Sequence, residues 1–167
     1  MSVDKRKALI AGTFDPITSG HEDIIRRAAD MFEEVFVSVV INDSKHPFFS
    51  AEERVAFCKK VFSDNPKIKV VSGDGLISEL ADSLGCGTVI KGLRNTEDFV
   101  YEYELAQIYR GMTPSLETVF IPSKGEYMHV SSTAVKAISK LGGDSSFYVP
   151  KCIYKEVYNK LKNNGNK

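Results

Sequence analysis

The chain has 167 residues, 43% hydrophobic and 26% charged, which is the composition of one folded globular domain long enough to build a core without disulfides or a structural metal. Lysine plus arginine number 22 and aspartate plus glutamate 22, so the formal net charge is zero. That balance argues against a nucleic-acid or membrane-surface binder held by long-range charge, and any anion site must be local.

Residues 7–11 read as a short apolar strand ended by Gly12, and residues 20–32 show helical spacing through Ile24, Ile25, Ala28 and Phe32. Residues 35–41 are apolar on both faces and rich in β-branched side chains, as in a central parallel strand covered by helices above and below. Ser50 and Glu53 form a capping-box pattern that opens a helix running to about Phe62. Strand 68–71, helix 76–84, strand 88–91 and an amphipathic helix of about 97–109 continue the alternation. A fifth strand, 116–121, is followed by a polar loop 123–129, a helix starting near Ser131 or Ser132, and a last helix after Pro150. The expected domain is a single unit over 1–167, with core 7–161 and a polar tail 162–167. Its fold class is α/β, a doubly wound five-stranded parallel sheet of Rossmann-like type, with ligands outside the carboxyl ends of the strands.

Cys58, Cys86 and Cys152 are odd in number and lack C-x-x-C spacing, so they read as small buried hydrophobes in a reducing compartment. No apolar stretch approaches the roughly 20 residues needed to span a bilayer. The apolar run after Lys5, Arg6 and Lys7 is too short for a signal peptide, so a cytoplasmic location with no membrane and no nucleic-acid partner is expected.

The first strand-to-helix connection, Gly12-Thr13-Phe14-Asp15-Pro16-Ile17-Thr18-Ser19-Gly20-His21, is long and carries glycines and a proline. Gly12 permits close backbone approach, and His21 falls beside the free amides of a helix start, a place suited to phosphate. Taken alone, Gly20 and His21 read as a turn followed by a surface side chain near a helix start. The segment Val130-Ser131-Ser132-Thr133-Ala134-Val135-Lys136 is a hydroxyl-rich helix start with a cation one turn on, suited to outer phosphates and also to plain capping.

The two segments together resemble the paired signatures of the nucleotidyltransferase superfamily that includes class I aminoacyl-tRNA synthetases. Within it the chain is most similar to the bacterial phosphopantetheine adenylyltransferase family, from Lys7 to about Leu161. Loop 42–48, the block Ile90-Lys91-Gly92-Leu93-Arg94 and the run 98–106 extend the match. Thr18 stands where relatives acting on nicotinate mononucleotide or glycerol phosphate usually carry His.

The resemblance implies transfer of the adenylyl group of ATP to 4′-phosphopantetheine by direct in-line attack, with Mg²⁺ accompanying ATP and no dedicated metal ligands in the protein. It implies catalytic parts for His21, Thr13, Lys45 and Arg94. It gives ATP the residues Thr13, Phe14, His21, Gly92, Leu93, Arg94, Glu102, Tyr127, Met128, His129, Val130, Ser131, Ser132 and Thr133, and the acceptor Thr13, Lys45, Ile77 and Lys91. It further implies a homohexamer built from trimers and feedback inhibition by coenzyme A. Lys91 and Lys136 stand where some relatives have arginine, which keeps the charge and loses the planar fork. Asp98 belongs to the weaker candidates, and His46 and His129 lack metal-ligand spacing and read as polar loop residues. The alternatives are another small-molecule nucleotidyltransferase of the same fold, or a nucleotide-binding regulatory module without catalysis. A P-loop kinase and a Rossmann dehydrogenase are disfavoured by the absence of their glycine patterns.

Overall fold

The structure is a computed structural model and describes residues 4–41 and 46–164. Five parallel strands, β1 (Asp4–Gly12), β2 (Glu34–Val40), β3 (Ile68–Gly73), β4 (Cys86–Leu93) and β5 (Glu117–Pro122), form one sheet in the order β3-β2-β1-β4-β5. Helices α1 (Ser19–Met31), α2 (Ala51–Val61), α3 (Ile77–Ser83), α4 (Thr96–Met112), α5 (Ser132–Lys140) and α6 (Tyr154–Asn164) cover its two faces. The expected α/β architecture is the observed one.

Strand alternation separates the two layers. Along β1, Ala8 and Ile10 pack with Val35, Val37 and Val39 of β2 and with Ile25 and Ala28 of α1, in a large core that also takes Phe49, Val135 and Ile153. Leu9 points the other way, into a smaller core with Val89, Ala81, Cys86, Leu116 and Tyr109. β2 is buried from Val35 through Val39 apart from half-buried Phe36, as a strand with helices on both sides must be.

The chain lays down β1, β2 and β3 toward one edge, then returns to place β4 on the opposite side of β1. The connections leaving β1 and β4 therefore diverge, and their carboxyl ends open a crevice at this switch point.

Some boundaries and burials differ from expectation. β1 begins at Asp4, because its amide donates to Gly85 O at 3.2 Å and Asp4 registers with Cys86. α6 runs through Asn164, into the stretch expected to be tail, since no helix breaker occurs before Gly165. Cys58 and Cys86 are buried, but Cys152 is exposed in the turn preceding α6. α4 buries only Ala106 and Tyr109 and leaves Phe99, Val100, Tyr101, Tyr103, Ile108 and Met112 exposed. Among the described residues no helix is long and apolar enough to cross a membrane.

Candidate active site

A cleft of about 380 Å³ opens at the β1/β4 switch point. Its walls come from the end of β1, the start of α1, the end of β4, the first turns of α4 and the start of α5.

The loop leaving β1 is shaped by backbone constraints. Phe14 is buried with φ +48°, a left-handed conformation that costs a side-chain-bearing residue about 1 kcal/mol. Its ring lies over Gly12, where a Cβ would stand 3.0 Å from it, so a side chain there would press the ring out of place. The same ring meets His21 edge-on, with centroids 5.2 Å apart.

Asp15 is buried and gathers donors: the amides of Phe48 and Phe49 at 3.0 and 2.8 Å, and the Lys136 ammonium at 2.5 Å. Burial alone would push its carboxyl up, but Lys136 and the two amides outweigh that and hold it below its ordinary value.

His21 is the third residue of α1 and completes a capping box. Thr18 caps the helix by accepting from the His21 amide at 3.3 Å, and the Thr18 amide donates to His21 Nδ1 at 3.1 Å. Because Nδ1 accepts from a backbone amide, the neutral ring carries its proton on Nε2. Burial, with the Arg94 charge adding to it, lowers the imidazole pKa to about 4. The ring on the cleft wall is therefore a neutral N–H donor at neutral pH. A histidine replaces the usual Glu or Gln of the capping pattern, which is why spacing alone does not flag this box.

α5 presents its N-terminus to the same space. Ser131 is the cap and its hydroxyl accepts from the Ala134 amide at 3.1 Å, while the Ser132 hydroxyl donates to Pro16 O at 2.8 Å. Ser132 thus spends its hydroxyl proton on the first loop, whereas Ser131 only accepts, so α5 offers an anion the Ser131 O–H together with its open first-turn amides. Lys136, expected to face outer phosphates, is drawn out of the cleft by its pairing with Asp15. The two signature segments are tied together by that ion pair and by the Ser132 to Pro16 bond.

Arg94, just past β4, forms a two-point ion pair with Asp98, Nε to Oδ2 at 2.9 Å and Nη2 to Oδ1 at 3.1 Å. Asp98 is held below its ordinary pKa chiefly by that guanidinium. Lys91 and Glu102 face each other at 2.9 Å, and the Lys91 ammonium also lies 5.7 Å from the centre of the Tyr109 ring. Glu102 Oε2 is buried without an aligned hydrogen bond, so the contact with Lys91 is a charge pair only.

The cleft thus assembles Phe14, His21, Lys91, Gly92, Arg94, Glu102, Tyr127, Val130, Ser131, Ser132 and Thr133 from the expected residues. Thr13, Leu93, Met128 and His129 lie beside it: His129 packs edge-on against Tyr148, and Met128 is exposed after a short 3-10 turn, Gly125–Tyr127. Ile77 opens α3 and packs against the Leu9 layer, outside the lining of this cleft. Lys45 lies outside the described residues. Sequence reasoning missed Ser123 on the wall and Thr18 as the partner of His21. No group of three or more His, Cys, Asp or Glu side chains among the described residues could hold a metal ion.

A fold with this sheet order and an N–H donor, a cation and a helix N-terminus converging at the switch point is that of a doubly wound α/β protein whose cleft suits a phosphate-bearing ligand. The family model described as cytidylyltransferase-like matches residues 9–138. The phosphopantetheine adenylyltransferase of Caldanaerobacter subterraneus subsp. tengcongensis is 40% identical over 157 residues, 94% of this chain and 98% of that one. The enzyme of the same name from Nitrosospira multiformis is 43% identical over 143 residues, covering 86% and 87%. A solved structure described as a nicotinate-nucleotide adenylyltransferase from Vibrio parahaemolyticus superposes with a TM-score of 0.63 at 21% identity, over 99% of this chain and 94% of that one, a likeness of fold. The chain belongs to the phosphopantetheine adenylyltransferase family of cytidylyltransferase-like proteins.

Proposed function

We propose that this cleft transfers the adenylyl group of ATP to the phosphate of 4′-phosphopantetheine, giving dephospho-coenzyme A and pyrophosphate in coenzyme A biosynthesis. The observation that carries the reading is the convergence of the His21 Nε2–H, the Arg94 guanidinium and the open amides of α5 on one cleft in a chain of this family.

An oxygen of the acceptor phosphate attacks the α-phosphorus of ATP, and the bond from that phosphorus to the oxygen bridging to the β-phosphorus breaks. The acceptor is already largely ionised at neutral pH, so no general base is needed; the protein aligns two anions and stabilises the charge that develops. His21, neutral and oriented by Thr18, donates from Nε2 to the reacting phosphate without first having to lose a proton. Arg94 keeps its remaining N–H groups for the outer phosphates while Asp98 holds the other edge of the fork. Lys91 exchanges Glu102 for the acceptor phosphate, and Lys45 is its partner in that task. Thr13 sits between the substrates and Ile77 flanks the pantetheine arm. Phe14, Gly92, Leu93, Glu102 and residues Tyr127, Met128, His129, Val130, Ser131, Ser132 and Thr133 receive ATP.

Mg²⁺ accompanies ATP and supplies charge neutralisation on its phosphates. The chemistry of the donor set fits an ion coordinated mainly by phosphate oxygens and water, because the nearby carboxylates Asp15, Asp98 and Glu102 are each paired with a cation of the protein.

The exposed aromatic and aliphatic face of α4 supports self-association, read as a hexamer of two trimers, and coenzyme A is its feedback inhibitor in a cytoplasmic setting. Pyrophosphate release from MgATP with 4′-phosphopantetheine, run beside nicotinate mononucleotide and glycerol 3-phosphate, tests the function. Turnover with the first acceptor alone is expected; release with another acceptor overturns the substrate, and release with none overturns the reading.

A further inference from the structure

Arg54, on α2, is 2% exposed, yet no carboxylate among the described residues pairs with it. Its guanidinium is instead spent on backbone carbonyls: Nη1 donates to Thr13 O at 2.7 Å and Val40 O at 3.0 Å, and Nε donates to Phe49 O at 3.2 Å. Burying an arginine is costly, and replacing it with an apolar side chain would orphan three carbonyls where the connections from β1 and β2 meet.

The shortest of these bonds falls on the peptide unit that joins Thr13 to Phe14. In a trans peptide the C=O and N–H point in opposite directions, so gripping the Thr13 carbonyl from the α2 side turns the Phe14 N–H away from α2. No hydrogen bond among the described residues uses that N–H, and Phe14 lines the cleft.

The orientation is also the strained one. Rotating this peptide plane by half a turn would carry Phe14 from φ +48° to the negative-φ side that side-chain-bearing residues prefer. Something must hold the unfavourable orientation, and the charged donor on the Thr13 carbonyl is the group in place to do so.

We infer that Arg54 is a positioning residue: from beneath the site it locks the strained Thr13–Phe14 peptide so that the Phe14 N–H serves as a phosphate donor in the nucleotide cleft. The inference rests on the proposed ATP site. Arg54 touches no substrate and acts only through this peptide. Lysine in its place keeps the charge but cannot span the same carbonyls, because its donors radiate from one point.

The test compares phosphate-bearing and phosphate-free ligands by calorimetry on wild type, Arg54→Lys and Arg54→Met, each below its own thermal transition. In Arg54→Lys, AMP and ATP should bind about tenfold more weakly, as expected for loss of one charge-assisted donor, while adenosine binds as in wild type. A merely architectural part would weaken all three ligands together or none of them, and either result overturns the inference. If Arg54→Met does not fold, Arg54→Lys carries the comparison; failure of both to fold makes the part architectural and overturns it too. A wild-type protein that does not prefer AMP or ATP to adenosine would instead sink the proposed nucleotide site.

Discussion

Replacing His21 with alanine separates its two parts in the structure. As a capping-box member its Nδ1 accepts the Thr18 amide at 3.1 Å, a cap worth about 1 kcal/mol. Its edge contact with Phe14 at 5.2 Å adds about 1 kcal/mol. His21→Ala should therefore lose about 2 kcal/mol of stability, and in a chain of this size Tm should fall by about 6 °C. If Nε2 donates to the reacting phosphate, turnover should fall by about 10²–10³-fold, as on removal of one donor from a site of developing charge. The size of the gap matters, because 2 kcal/mol leaves the protein folded at 25 °C whereas the loss of turnover is unmistakable. Pyrophosphate release at saturating substrates, followed beside thermal denaturation, is the assay. His21→Gln supplies the control: its amide oxygen can accept from Thr18 and its nitrogen can donate, so it should regain most of the stability and part of the turnover. A folded His21→Ala whose turnover stays within about threefold of wild type would refute the catalytic assignment.

Because burial, with Arg94 adding to it, lowers the His21 pKa from 6.5 to about 4, the unfolded chain binds this proton first as pH falls. The contribution of His21 to stability should accordingly be present above pH 6.5, decline between 6.5 and about 4, and be gone below that; a ring-proton titration by NMR with its midpoint at the ordinary value would contradict this. Asp15→Asn should cost about 3 kcal/mol, since it leaves the Lys136 ammonium facing a neutral amide in a partly buried site. Adding Lys136→Met should recover part of that loss, and denaturation midpoints of the single and double variants that simply add would show that the pair is not coupled. The Asp15 carboxyl sits below its ordinary pKa, so its contribution is present above pH 3.8 and disappears as pH falls through the lowered value.

The alternation of apolar runs and helical spacing was enough to place all five strands and the helices that flank them, because burial on one or two faces imposes periods visible in any short window. The glycine-bearing connection after β1 and the hydroxyl-rich start of α5 were legible for a related reason, since chain turns and helix caps restrict residue type locally. That these segments, more than a hundred residues apart, form one cleft follows from the sheet order, which puts β4 beside β1 and is written in no local window.

Tertiary structure alone decided which charges are free. Lys136 looked like a phosphate ligand by spacing, and its engagement by Asp15 depends on where the first loop folds back. Nothing in the local sequence marks Arg54, and its burial against the carbonyls of Thr13, Val40 and Phe49 requires two loop connections to converge on α2. Residue type and spacing carry what the backbone needs within a few positions, whereas the partner of a buried charge is set by the three-dimensional path of segments that the sequence keeps far apart.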